Sequence, residues 1–166
     1  IEAHWTFILA SLTELNREFP FDAISITTHG ASAALVHQDG SLALPVLDYE
    51  FSGPDTLTAE YNAVRPPFSE TFSPRLPIGL NVGAQLFWQQ RRFPQEFATA
   101  RYILPVPQYW ALRLTGVAAG EVTSLGCHTD LWAPAKAGYS TMVDTLGWRS
   151  KFPPIRSAFD ALGDVL

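Results

Sequence analysis

The sequence predicts an α/β domain, a mixed sheet carrying a β-hairpin with helices packed on it. Three observations predict it. The run Ile24-Ser25-Ile26-Thr27-Thr28 alternates and is β-branched, as a strand requires. Asp39-Gly40 stands between two apolar runs, the signature of a hairpin turn. Apolar residues recur at helical spacing at Ile1, Trp5, Ile8, Leu12 and Leu15, and again from Asn81 through Leu86, Phe87 and Trp88.

The elements follow in order. The first helix has no Ser, Thr, Asp or Asn ahead of Ile1 to cap it, which leads to the expectation that the chain continues upstream. Pro20 ends that helix. After the strand at 24–28, His29-Gly30-Ala31 is a break between strands. Ser32 to His37 and Leu42 to Leu47 are the next two strands, joined by the Asp39-Gly40 turn. Residues 51–78 contain Pro54, Pro66, Pro67, Pro74 and Pro77 and show no sustained period, so they form either a long functional connection or a loop with short helical turns. Helices are expected from Asn81 to about Arg92, from Pro94, and over Gln108–Leu114 with Gly116 at its end. Ser140 is placed to cap a helix over Thr141–Leu146, and Pro153-Pro154 opens the last segment.

Composition limits the function. Of 166 residues, 47% are apolar and 16% charged, as in globular proteins. The net charge of −5, with only eleven scattered Lys and Arg, argues against nucleic acid as a partner. No apolar run is long enough to cross a bilayer, so no membrane partner is expected, and the absence of a leader-like start points to the cytoplasm. The single cysteine, Cys127, excludes an internal disulfide and argues against a thiolate zinc site. No Gly-rich phosphate loop and no G-x-S-x-G elbow occurs, and His4, His29, His37 and His128 lack metal-ligand spacing.

Two groups could carry chemistry. His29-Gly30 sits at a strand end, where side chains and backbone N–H groups can converge on a ligand; a tight turn between strands is the other account. Asp48 and Glu50, two apart at the end of the third strand, would share a face. Their oxygens suit sugar hydroxyls, and solvated edge carboxylates are the alternative. The five tryptophans are expected mainly in the core.

Taken together, Ile24 through Val36 with its Thr28-His29-Gly30 segment, then Asp39-Gly40, then Leu44-Pro45-Val46, resemble the FGGY family of carbohydrate kinases, most closely its rhamnulokinase and fuculokinase branch. Leu104-Pro105-Val106-Pro107-Gln108-Tyr109-Trp110 followed by Arg113-Leu114-Thr115-Gly116 is similar to that family's L-P-x-x-x-Y…R-L-T-G. Glu121-Val122-Thr123-Ser124, Gly147-Trp148 and Phe152-Pro153-Pro154-Ile155 fall in the family's order.

The resemblance implies a ribonuclease-H-like, actin-like fold and a kinase using ATP and Mg²⁺ on a small-molecule sugar. The acceptor would be a ketose of the L-rhamnulose, L-fuculose or xylulose type. Residues 1–166 are then a single partial domain, the N-terminal sugar-binding lobe, inactive alone, with the catalytic base expected beyond Leu166 and the phosphate-handling strand absent. The resemblance leaves a homodimer open. Carried over residue by residue, Thr28, His29 and Gly30 would line the sugar pocket, Asp48 and Glu50 would meet sugar hydroxyls or order the pocket, and Asn81 would face it from a helix start. Ser32 stands where the family commonly has Asp, and Leu47-Asp48-Tyr49-Glu50 departs from its W-x-D, so the particular sugar is left open. A non-catalytic actin-like module, or an inactive paralogue, is the alternative.

Overall fold

The computed structural model describes residues 1–166. The chain is a small α/β structure with two separate two-stranded antiparallel sheets. Its elements are α1 (Glu2–Glu18), β1 (Ala33–Val36), α2 (Thr58–Val64), α3 (Phe68–Thr71), α4 (Val82–Arg92), α5 (Pro94–Thr99), β2 (Tyr102–Pro105), α6 (Val106–Thr115), α7 (Val122–Gly126), β3 (Trp132–Ala133), β4 (Gly138–Tyr139) and α8 (Thr141–Thr145). No helix is long and apolar enough to cross a membrane.

The organising pair is β1 with β2, registered Ala33 to Pro105, Ala34 to Leu104, Leu35 to Ile103 and Val36 to Tyr102. All four residues of β1 are buried. Period-2 alternation then divides them between two cores. Ala33, Leu35 and Ile103 join Leu86, Phe87, Met142 and Trp148 on the α4 side. Ala34, Val36 and Leu104 join Tyr109 on the α6 side, with Trp110 and Leu112 packed against them. An all-apolar strand fits a ribbon covered on both faces.

The strand expectations need correction. Residues 24–28 form no ladder, although Ile24, Ile26 and Thr28 are half-buried while Ser25 and Thr27 are exposed. The strand pattern is present, but no other strand of the chain lies beside it. The partner of β1 is the sequence-distant β2, which was not expected, and the anticipated third strand shrinks to a bridge between Val36 and Leu42. Ala43 N still donates to Leu35 O at 2.8 Å, after which Pro45 has no N–H to extend the ladder. The turn itself is as read. Gly40 N donates to His37 O, and Gly40, at φ 85°, takes the left-handed position of a three-residue hairpin loop.

The helices follow their sequence signals closely. α1 ends two residues before Pro20 and starts at Ile1 without a side-chain cap. Gly116, at φ 72°, closes α6. Residues 51–78 resolve into a 3-10 turn at Gly53–Leu57 with α2 and α3, which matches the loop-with-turns account. Ser140 precedes α8 but does not cap it. Its hydroxyl donates to Asp130 O, and Glu70 of α3 instead accepts from Thr141 N at 2.9 Å and from the Thr141 hydroxyl. Of the five tryptophans only Trp148 is fully buried.

Candidate functional site

A cavity of about 510 Å³ opens between the 24–32 segment, the start of α6, the 119–127 segment and the stretch 156–162. It contains Thr28, His29 and Gly30, three of the six residues singled out from sequence. Each is placed differently. The Thr28 hydroxyl donates to His29 O at 2.8 Å and keeps its lone pairs for an incoming donor. The His29 ring lies against Tyr49, with centroids 5.6 Å apart. A Cβ on Gly30 would meet only Cys127 Sγ at 3.6 Å, so nothing in the chain's own packing demands glycine there.

The backbone constraint in this turn falls on the next residue. Ala31 has φ 51°, in the left-handed region. For an L-residue that conformation costs about 1–2 kcal/mol, so the surroundings must hold it. The Gln85 side chain does so from α4: its Nε2 donates to Ala31 O at 2.6 Å and also to Gly79 O.

The opposite wall is built by α7. Glu121 caps that helix, accepting from Thr123 N at 2.9 Å and Ser124 N at 3.0 Å. Burial alone would push its carboxyl up. The hydrogen bonds from Thr123 and Ser124 outweigh that and hold it below the ordinary glutamate value. Thr123, Ser124 and Gln108 line the same space. The Gln108 Oε1 is buried with no hydrogen-bond partner. Arg156 and Asp160 complete the wall as an ion pair at 3.0 Å.

Asp48, Glu50 and Asn81 do not line the cavity. Asp48 and Glu50 sit on a turn rather than a strand face, because the Asp48 Oδ1 accepts the Glu50 N–H at 2.8 Å and curls the backbone. Both are exposed. Asn81 does stand at the start of α4, as expected, but it is 0% exposed and fully engaged. Its Nδ2 donates to Ser73 Oγ, Pro74 O and His128 O, and its Oδ1 accepts from Leu76 N at 2.7 Å.

Asn81 belongs to a wider polar core. Arg65 forks onto Asp130 through Nε and Nη2, each at 2.9 Å, and Tyr61 Oη donates to the same carboxylate at 2.6 Å. Desolvation, and then the Asp130 charge, push the Tyr61 phenol well above its ordinary range. His128 and Asp130, at φ 57° and 63°, carry the kinked link from α7 to β3 that this network anchors. α4 approaches that link closely, since a Cβ on Gly83 would lie 2.7 Å from Thr129 O.

Sequence reasoning missed Gln85, Gln108 and the 156–162 wall. A signal for the first was available: Asn81, Gln85 and Gln89 recur every four residues, along one side of the helix. All three are buried, and Gln89 Nε2 donates to Pro45 O at 3.2 Å. Polar residues on a buried helix face need partners, and here the partners are loop carbonyls.

The cavity offers hydroxyl, amide and imidazole groups, with Glu121, Arg156 and Asp160 also on its walls. No three His, Cys, Asp or Glu side chains gather to hold a metal ion. The one histidine side-chain hydrogen bond pairs His37 Nδ1 with Thr99 O, so no Ser–His pair supports a hydrolase.

No protein-family model and no curated protein matches the chain. Solved structures do. A carbohydrate kinase from Novosphingobium aromaticivorans is 45% identical with a TM-score of 0.90, over 97% of this chain and 34% of that one. A gluconate kinase from Lactobacillus acidophilus superposes with a TM-score of 0.79 at 15% identity, over 92% of this chain and 32% of that one. A ligand-bound xylulose kinase from the same organism gives 0.77 at 15% identity over the same shares. The last two likenesses show the fold alone, and the chain spans about a third of the length of each structure it matches. The structural neighbours of this chain are thus carbohydrate kinases, each matched over one part of its length.

Proposed function

We propose that these residues form the sugar-facing wall of an ATP-dependent carbohydrate kinase of the FGGY type, within its ribonuclease-H-like N-terminal lobe. One observation carries the reading: the 45% identity to a carbohydrate kinase extends over 97% of this chain. The acceptor in this reading is a ketose of the L-rhamnulose, L-fuculose or xylulose type. Thr28 and His29 hydrogen-bond its hydroxyls, and the absent side chain of Gly30 gives it room. Their role is to hold the acceptor, since a hydrogen bond lost inside a binding site costs about 1–3 kcal/mol of affinity.

ATP and Mg²⁺ are the cosubstrates this reading implies. The residues present do not fit them. Glu121 is engaged by the α7 amides and Asp160 by Arg156, which leaves no free carboxylate cluster at the cavity. The reading therefore assigns nucleotide binding and the catalytic base to other parts of a longer enzyme.

The test is transfer of labelled γ-phosphate from ATP to a panel of ketoses and polyols by the full-length protein. Transfer to at least one ketose is expected, with none from residues 1–166 alone. ATP binding without transfer to any sugar would favour the non-catalytic module instead.

A further inference from the structure

We infer that Gln85 is a positioning residue: from inside α4 it holds the His29-Gly30-Ala31 turn in the shape the sugar site needs, and so sets sugar affinity rather than turnover. The inference rests on the sugar-kinase reading above.

Gln85 is 1% exposed, in a helix whose neighbouring positions Ala84, Leu86 and Phe87 are core residues. A buried carboxamide is costly unless bonded. Both groups it meets, Ala31 O and Gly79 O, are backbone carbonyls, so only the nitrogen end can face them. One bond restrains Ala31, whose left-handed φ of 51° an alanine keeps only when held.

The other bond restrains Gly79, which reaches the same turn by a second route. Gly79 N donates to Tyr49 O at 3.0 Å, and the Tyr49 ring packs on His29. A Cβ on Gly79 would lie 2.9 Å from Tyr49 O and 3.0 Å from Gln85 Nε2, so the three groups meet with no space between them. His29 is thereby held from both sides: through Ala31, two residues along the chain, and through Tyr49 against its ring. Gln85 itself does not line the cavity. It acts on a ligand only through the turn.

The experiment uses the full-length protein with Gln85→Met, which keeps the length and loses the N–H donors. Exchange of the Gly79 amide, which is bonded to Tyr49 O, the Ala31 Cα chemical shift, which reports its left-handed φ, and the kinetics with the sugar the protein phosphorylates best are read together. In Gln85→Met, Gly79 exchange rises about tenfold, the Ala31 shift moves away from its left-handed value, the sugar KM rises about tenfold, and kcat and the ATP KM stay within about twofold. Unchanged exchange and an unchanged Ala31 shift in a folded Gln85→Met protein overturn the inference. So does a loosened turn with an unchanged sugar KM. If Gln85→Met does not fold, Gln85→Asn, too short to span both carbonyls, takes its place with the same readouts. If the parent phosphorylates no ketose or polyol, the kinase reading fails, and the exchange and shift readouts decide the clamp by themselves.

Discussion

Residues 1–31 and residues 32–153 are both rich in large apolar side chains, yet every buried residue of the chain lies in the second region. In the first, Phe7, Leu15 and Phe19 are exposed, and α1 buries nothing completely. α1 is fastened near its start, where Trp5 stacks on Trp110 and Arg113 lies over Trp5 while pairing with Glu2 at 2.8 Å. Exposed ion pairs of that kind add little stability. In the second region the β1–β2 ribbon is covered on two sides, and the buried side chains of Asn81, Gln85, Gln89 and Asp130 are hydrogen-bonded. The difference teaches that apolar periodicity specifies which element forms, while burial depends on whether a partner surface is there to meet it.

The contrast can be broken most forcefully at Asp130. Asp130→Ala leaves Arg65 and Tyr61 without their shared acceptor, and urea denaturation should show a loss of about 3–5 kcal/mol. Next comes a matched pair of leucines. Leu86→Ala, at 0% exposure, should cost about 2–5 kcal/mol. Leu15→Ala, at 51% exposure, should stay within about 0.5 kcal/mol. Equal costs for the two would end the distinction between the regions.

A smaller effect is expected at Glu70. Burial favours its neutral form, but hydrogen bonds from the Thr141 N–H and hydroxyl and from Lys136 outweigh that and hold it below the ordinary value of 4.5. A carboxylate held low in the folded state stabilises fully above its unfolded value and loses that contribution as pH falls through the folded one. The stability gap between the parent and Glu70→Gln should therefore be constant above about pH 5 and shrink on acidification below it. Denaturation across that range checks the sign. Smallest of all, Glu50→Ala changes an exposed side chain on a turn and should shift stability by less than about 0.5 kcal/mol.

Much of the fold was legible in the sequence because local chemistry determines it. Pro20, Gly116 and the Asp39-Gly40 turn fall where their backbone preferences place them. The pairing of β1 with β2 was not legible, since nothing in Tyr102–Pro105 names a partner some seventy residues earlier. Around the cavity, Thr28, His29 and Gly30 lie together because they share one short segment. Asp48 and Glu50 do not share a strand face because an Asx turn ends the strand that would have aligned them. Asn81 was recognised as special, but its surroundings are the loop carbonyls of residues distant in sequence, which no local pattern shows.

The most direct measurement of the central claim is calorimetric titration of the acceptor ketose, before phosphorylation, into the full-length protein and its His29→Ala variant. A site built on the 28–30 turn predicts sugar binding weakened about tenfold or more with ATP binding unchanged. Sugar affinity that is the same in both proteins would contradict it.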